Sequence, residues 1–142
     1  MRAKGQECIL SLGKREIGGV HLAKKKTVDI VHRRTGEVLL KGARWCDSYF
    51  CKLRGFQFRR SREPGETLIL VYHMDQSITI HMFFVFFPLA LVWVDSRGIV
   101  THAQLAKPWR PYYSSPDLSR YVIETAPEFL TQIEVGDEVD FV

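Results

Sequence analysis

ITIHMFFVFFPLALVWV, residues 78–94, is the most apolar stretch of the chain. A run of this length invites a membrane-spanning reading, which needs about 20 apolar residues. His81 and Pro88 interrupt it, and Asp75 and Asp95 bracket it. Ile78, Thr79, Ile80, Phe83, Phe84, Val85, Phe86 and Phe87 are β-branched or aromatic and favour strands. Pro88 has no amide hydrogen and cannot lie inside a central ladder. The stretch therefore reads as one strand up to about Phe84, a bend near Pro88, and a second strand over Leu89–Val94. Both faces of each strand are apolar, which predicts cover on two sides and a place inside the core.

Working outward, Asp95-Ser96-Arg97-Gly98 is a turn, with Gly98 free to take positive φ. A strand follows from Ile99 to Leu105. On the other side, Thr67–Tyr72 (TLILVY) reads as a buried strand, and His73-Met74-Asp75-Gln76 as a turn. Further back, Val28 and Ile30 and the strand Glu37–Leu40 flank Arg33-Arg34-Thr35-Gly36, a hairpin turn closed by glycine. Asp47 or Ser48 caps a short helix from Ser48 to about Gly55, which supplies the C-terminal stop. Lys107 to Pro116 holds three prolines and reads as a long loop without regular structure. Arg120–Glu124 is a short strand, Pro127–Leu130 a single helical turn, and Glu138–Val142 a last strand. The pattern predicts a mainly β protein: an antiparallel β-sandwich or barrel with one or two short helices. Residues 1–26, interrupted by glycines and ending in Lys24-Lys25-Lys26, read as a flexible basic arm before a single β domain over residues 27–142.

The chain has 142 residues, enough for one core without staples. Three cysteines, and an N-terminus without a continuous apolar run, fit a reducing, cytoplasmic setting better than a disulfide framework. The formal charge of +4 hides an asymmetry. Residues 1–62 carry 16 Lys and Arg against 5 Asp and Glu, and residues 63–142 carry 4 against 11. The basic half offers weak, sequence-insensitive binding to nucleic acid. The plainer reading, preferred here, is two oppositely charged segments of one domain.

Several of these segments, in this order, resemble the domain of unknown function 192 family, an uncharacterised prokaryotic family. Leu53-Arg54-Gly55-Phe56-Gln57-Phe58-Arg59 is similar to its Arg-Gly-Leu-Met-Phe-Arg box. Ile80-His81-Met82 through Phe87-Pro88-Leu89 is similar to its central box, and Asp95-Ser96-Arg97-Gly98-Ile99-Val100 to the hairpin after it. Val122-Ile123-Glu124 and Val135-Gly136-Asp137-Glu138-Val139 resemble the closing segments. The resemblance spans roughly Val28 to Phe141. It implies a jelly-roll type of β-sandwich and brings no established activity. The chain departs from the pattern where the central box carries polar residues: Phe83, Phe84, Phe86 and Ala90 stand there. Either a function that used those polar groups is lost, or the groups were structural and packing replaces them.

Chemistry-bearing residues are sparse. His73, His81 and His102 lie on or beside strands but lack metal-ligand spacing, so no metal site is expected. Cys46 and Cys51 form a single C-x4-C, weak as a zinc or redox signal; Cys51 is expected on the buried side of the short helix as a small hydrophobe. Glu124 and Asp137 are far apart in sequence and assemble no acid–base pair. No cofactor motif occurs. Phe56 and Phe58 are expected to point inward, with Arg54, Arg59, Arg60 and Arg62 outside.

The leading reading is a small soluble binding or interaction module. The alternatives are a hydrolase-like or metal-dependent enzyme whose residues converge only in three dimensions, and a nucleic-acid-associated protein. The candidate binding residues are Arg54 and Arg59 of the box and Trp109, Arg110, Tyr112 and Tyr113 of the long loop. Together they would hold a small anionic or polar ligand or a protein partner. A competing reading makes Trp109 and Tyr112 plugs of the open end of the sandwich.

Overall fold

The computed structural model describes residues 26–142. The basic arm expected over residues 1–26 lies outside the described residues apart from Lys26. The strands are β1 (Thr27–His32), β2 (Val38–Cys46), β3 (Leu68–Gln76), β4 (Thr79–Ile80), β5 (Leu89–Val94), β6 (Val100–Ala106), β7 (Tyr113–Ser114), β8 (Ser119–Thr125) and β9 (Val139–Phe141). A short helix, α1 (Tyr49–Arg54), and a 3-10 helix (Pro127–Thr131) complete the elements. Seven strands form one sheet in the order β6-β5-β8-β3-β2-β1-β9, and β4 pairs with β7 in a small second sheet. A bridge between Ile99 and Glu138 brings the two edges together, so the large sheet curls into a half-barrel. The fold is mainly β, as the sequence predicts.

All strand pairs are antiparallel except β2 and β3. A parallel pair cannot be joined by a tight turn. Residues 47–67 make the crossover, and this places α1 and the Arg54–Arg59 box over one face of the sheet. Ser48 caps α1, accepting a hydrogen bond from the Cys51 amide, and Gly55 ends it at φ +47°.

Side chains alternate across a strand. Leu68 and Leu70 of β3, Leu89, Leu91 and Trp93 of β5 and Val122 of β8 face one cluster, which Phe56, Ile80, Met82, Val85 and Tyr113 cover. Ile69, Val71, Ala90, Val92, Val94 and Ile123 face the hollow of the half-barrel, where Phe129 and Ile133 fill it. All six residues of β5 are buried, which explains its unbroken apolar run. The Trp93 indole N–H donates to the Ile78 carbonyl at 3.1 Å and so satisfies its one polar atom.

Several local expectations are corrected. The strand expected up to Phe84 ends at Ile80. Phe84 has φ +59°, which no strand allows, and the Met82 amide and carbonyl bond to Arg110 and Trp109 instead of a neighbouring strand. Phe83, Phe84 and Phe86 are exposed and Ala90 is buried, so packing replaces the family's polar groups only at Ala90. Phe56 is buried as expected, but Phe58 is exposed. His73–Gln76 continues β3 rather than turning. The long loop contains β7, because Tyr113 and Ser114 lie between its prolines and keep their amides. Cys46 and Cys51 are joined in a disulfide, so neither is the free thiol expected; α1 itself has no buried residue.

Candidate functional site

The site follows from strand parity. Glu124 is two residues from Val122 and shares its face of β8. In register it lies between Leu68 of β3 and Leu91 of β5. An acid on that face is enclosed by apolar neighbours, and Glu124 is only 5% exposed. Desolvation favours the neutral acid and pushes its pKa from the ordinary value up to about 7. No salt bridge reaches it among the described residues.

Glu124 opens into a pocket of about 300 Å³ between the sheet and its cover. Apolar walls come from Phe56, Leu70, Ile80, Met82, Val85 and Leu89. Gly55 lies beside the acid: a Cβ there would make ordinary contact, 3.5 Å from a Glu124 carboxyl oxygen. The glycine of the Arg-Gly box is called for by its φ of +47° and not by the approach to Glu124. Lys52 donates to the Val71 carbonyl at 2.9 Å and sits 4.5 Å over the Tyr72 ring. Burial, followed by the Glu124 charge, raises the Tyr72 pKa. Gln57 and His81 meet at 3.4 Å through Nε2 of each. Arg54, exposed, also lines the pocket and makes no ion pair among the described residues.

The six residues singled out in the sequence fare differently. Arg54 lines the pocket. Arg59 is held by Glu66 through two guanidinium hydrogen bonds of 2.5 and 2.8 Å, and that bond first, with burial opposing it, keeps the Glu66 carboxyl below its usual pKa. Its charge is engaged in holding the 59–66 turn. Trp109 is partly exposed and packs edge-on against Phe84 at 5.1 Å. Phe84 in turn stacks on Phe58 at 4.8 Å, so box and long loop meet through the 81–87 excursion. Arg110 and Tyr112 are exposed. Tyr113 is buried, and its hydroxyl accepts a hydrogen bond from the Lys107 amide at 2.9 Å; it plugs the cover, as the competing reading held for its neighbours. Tyr112, 74% exposed, does not.

Sequence reasoning named Glu124 only to set it aside, because its distance from Asp137 in sequence assembles no acid–base pair. Its signal was present: an acid in the run Tyr121-Val122-Ile123-Glu124, on the same parity as a core valine. Among the described residues no group of three or more His, Cys, Asp or Glu could hold a metal ion. His73 and His81 are exposed, and His102 packs against Trp93 at 5.3 Å. No described helix is long and apolar enough to cross a membrane.

Fold and site define a class: a curled β half-barrel whose covered face holds a buried carboxyl at the floor of a pocket. The chain belongs to the DUF192 family, described as "Uncharacterized ACR", whose pattern matches residues 30–141. It is 26% identical over 114 residues to a UPF0127 protein of Thermococcus sibiricus, covering 79% of this chain and 73% of that one. It is 29% identical over 100 residues to a UPF0127 protein of Pyrococcus abyssi, covering 68% and 82%. The fold is similar to that of a proposed transcription regulator from Sinorhizobium meliloti 1021, with TM-score 0.71, 17% identity and coverage of 83% and 94%. It is also similar to a protein of unknown function from Novosphingobium aromaticivorans, with TM-score 0.69, 18% identity and coverage of 86% and 91%.

Proposed function

We propose that the domain is a binding module whose pocket takes a small molecule with an apolar body and an anionic end. The observation that carries this reading is the pairing of Glu124 at the floor with Arg54 at the lining, neither in an ion pair among the described residues. The neutral carboxyl offers one hydrogen bond to a ligand's polar group, and the apolar walls hold its body. Arg54 takes the anionic end through a charge-assisted hydrogen bond. A thermal-shift panel of carboxylates and phosphate monoesters with apolar bodies tests it. Stabilising compounds are expected to lose about tenfold or more in affinity with Arg54→Ala, and to lose affinity with Glu124→Ala. Compounds that bind both variants as they bind the parent overturn the reading.

A second reading draws on the titratable groups gathered there: Lys52, Tyr72, His81 and Glu124 line one pocket. A carboxyl that titrates near neutrality can serve as a general acid or base of a hydrolase-like enzyme. Ester turnover abolished in Glu124→Gln, with ligand binding retained, would select this reading; equal turnover in both proteins would remove it. Nucleic-acid binding through residues 1–62 is a third proposal, and any such affinity is expected to fall steeply with salt. A cytoplasmic location is part of the leading proposal. A disulfide at Cys46–Cys51 is uncommon in that compartment, so trapping the thiols in intact cells checks the location.

A further inference from the structure

Beside the pocket mouth, four aromatic side chains stand out of the surface in contact with one another. Phe58 is 66% exposed, Phe86 51%, Trp109 45% and Phe84 44%. Phe58 and Phe84 stack at 22°, and Trp109 presents its edge contacts to Phe84 and Phe86 at 5.1 and 5.5 Å. The three segments that carry them are tied by their backbones. The Phe58 amide donates to the Phe84 carbonyl at 2.8 Å, and the Trp109 amide to the Met82 carbonyl at 2.9 Å. Phe58, Phe84 and Trp109 are also the three non-glycine residues with positive φ among the described residues. Left-handed backbone is unfavourable for such side chains. Here it coincides with exposure of large apolar groups, two unfavourable features on the same residues.

The rim has one sign. Segments 54–62, 81–88 and 107–113 contain six Lys and Arg and no Asp or Glu. Arg54, Arg60, Lys107 and Arg110 are exposed and unpaired among the described residues. This charge selects the occupant. A second copy meeting the same patch would set cationic rim against cationic rim. A nucleic-acid strand stacks successive bases on free aromatic faces, whereas Phe58 and Phe84 give one face each to the other and Trp109 stands at 62° and 83° to Phe84 and Phe86, so the cluster presents no run of parallel faces. A bilayer surface with anionic headgroups fits both features: Phe and Trp enter the boundary of headgroups and acyl chains while arginine and lysine meet the phosphates.

We propose that this aromatic cap docks the domain on an anionic membrane surface, reversibly and without spanning it. The inference is independent of the pocket ligand. The test is sedimentation of the full chain with vesicles of phosphatidylcholine alone and with vesicles of equal parts phosphatidylcholine and phosphatidylglycerol. Binding is expected only to the anionic vesicles, and about tenfold weaker or more for the double variant Phe86→Ser, Trp109→Ser. Both side chains are exposed, and an unchanged melting temperature will verify that the variant is folded. A lipid brominated near the headgroup should quench fluorescence in the parent, and the quenching should vanish in Trp109→Phe. Absence of vesicle binding overturns the proposal. So does vesicle binding that the double variant retains in full, which would assign it to the basic N-terminal residues. Loss of RNA binding in the double variant, with no vesicle binding in the parent, overturns it in favour of a nucleic-acid surface.

Discussion

Glu124 sets the behaviour of this protein at the scale of one residue. Its pKa rises in the folded chain, so the native state holds a proton that the unfolded state releases. Between about 4.5, its ordinary value, and about 7 the native state binds more protons than the unfolded state. Stability therefore falls as pH rises through that window, by on the order of 3 kcal/mol, and levels off above it. Asp95 and Glu66 act in the opposite sense: their pKa values are lowered, so their contribution disappears as pH falls through the acid range. At Asp95 burial raises the pKa, but hydrogen bonds from the Arg97 side chain and the Ile99 and Arg97 amides outweigh it. Urea unfolding of Glu124→Gln is expected to show no decline between those pH values, since the amide does not titrate. A variant with the parent's slope would show that another group causes it.

At the scale of elements, the glycine turns were legible, whereas His73–Gln76, read as a turn, is strand. Gly36 and Gly98 both take positive φ where a turn requires it. Gly98 also lies where the sheet edges meet: a Cβ there would collide with the Val139 carbonyl and the Arg33 guanidinium. Arg33 holds this seam, donating to Asp140 at 2.9 Å, to Glu138 at 3.1 Å and to the Arg97 carbonyl at 2.8 Å. Gly98→Ala is expected to destabilise the fold by about 2 kcal/mol or more, read from the urea midpoint, because strain and collision act together. A change within about 0.5 kcal/mol, the range of ordinary surface substitutions, would contradict this. The excursion after Ile80 was not legible. Its composition is that of a strand, but the Met82 backbone bonds to Trp109 and Arg110, far along the chain. Propensity describes a residue's fit to a pleated, half-buried surface and does not know which partner the backbone will find.

At the scale of the molecule, two-sided cover was legible in the apolar run Leu89–Val94, and the mainly β class in the number of short strands. The pocket was not. It needs the parallel crossover of residues 47–67 to bring Gly55 against Glu124, and those residues are 69 positions apart in the sequence. Box and loop composition marked Arg54 and Trp109 as candidates, but the meeting of box and loop runs through Phe58, Phe84 and Trp109. That meeting required the three-dimensional contact. Phe83, Phe84 and Phe86 were legible as aromatic residues at polar family positions, but their exposure was not, because it depends on which segments the 81–87 excursion meets.

The account stands most directly on the state of one carboxyl. Carbon-13 NMR of glutamate side chains, titrated over pH with the Glu124 resonance assigned by Glu124→Gln, reads that state in the intact domain. The account predicts a midpoint near 7, well separated from the exposed glutamates. A Glu124 midpoint near 4.5 would mean that water or a cation compensates the acid, and would contradict the pocket described above.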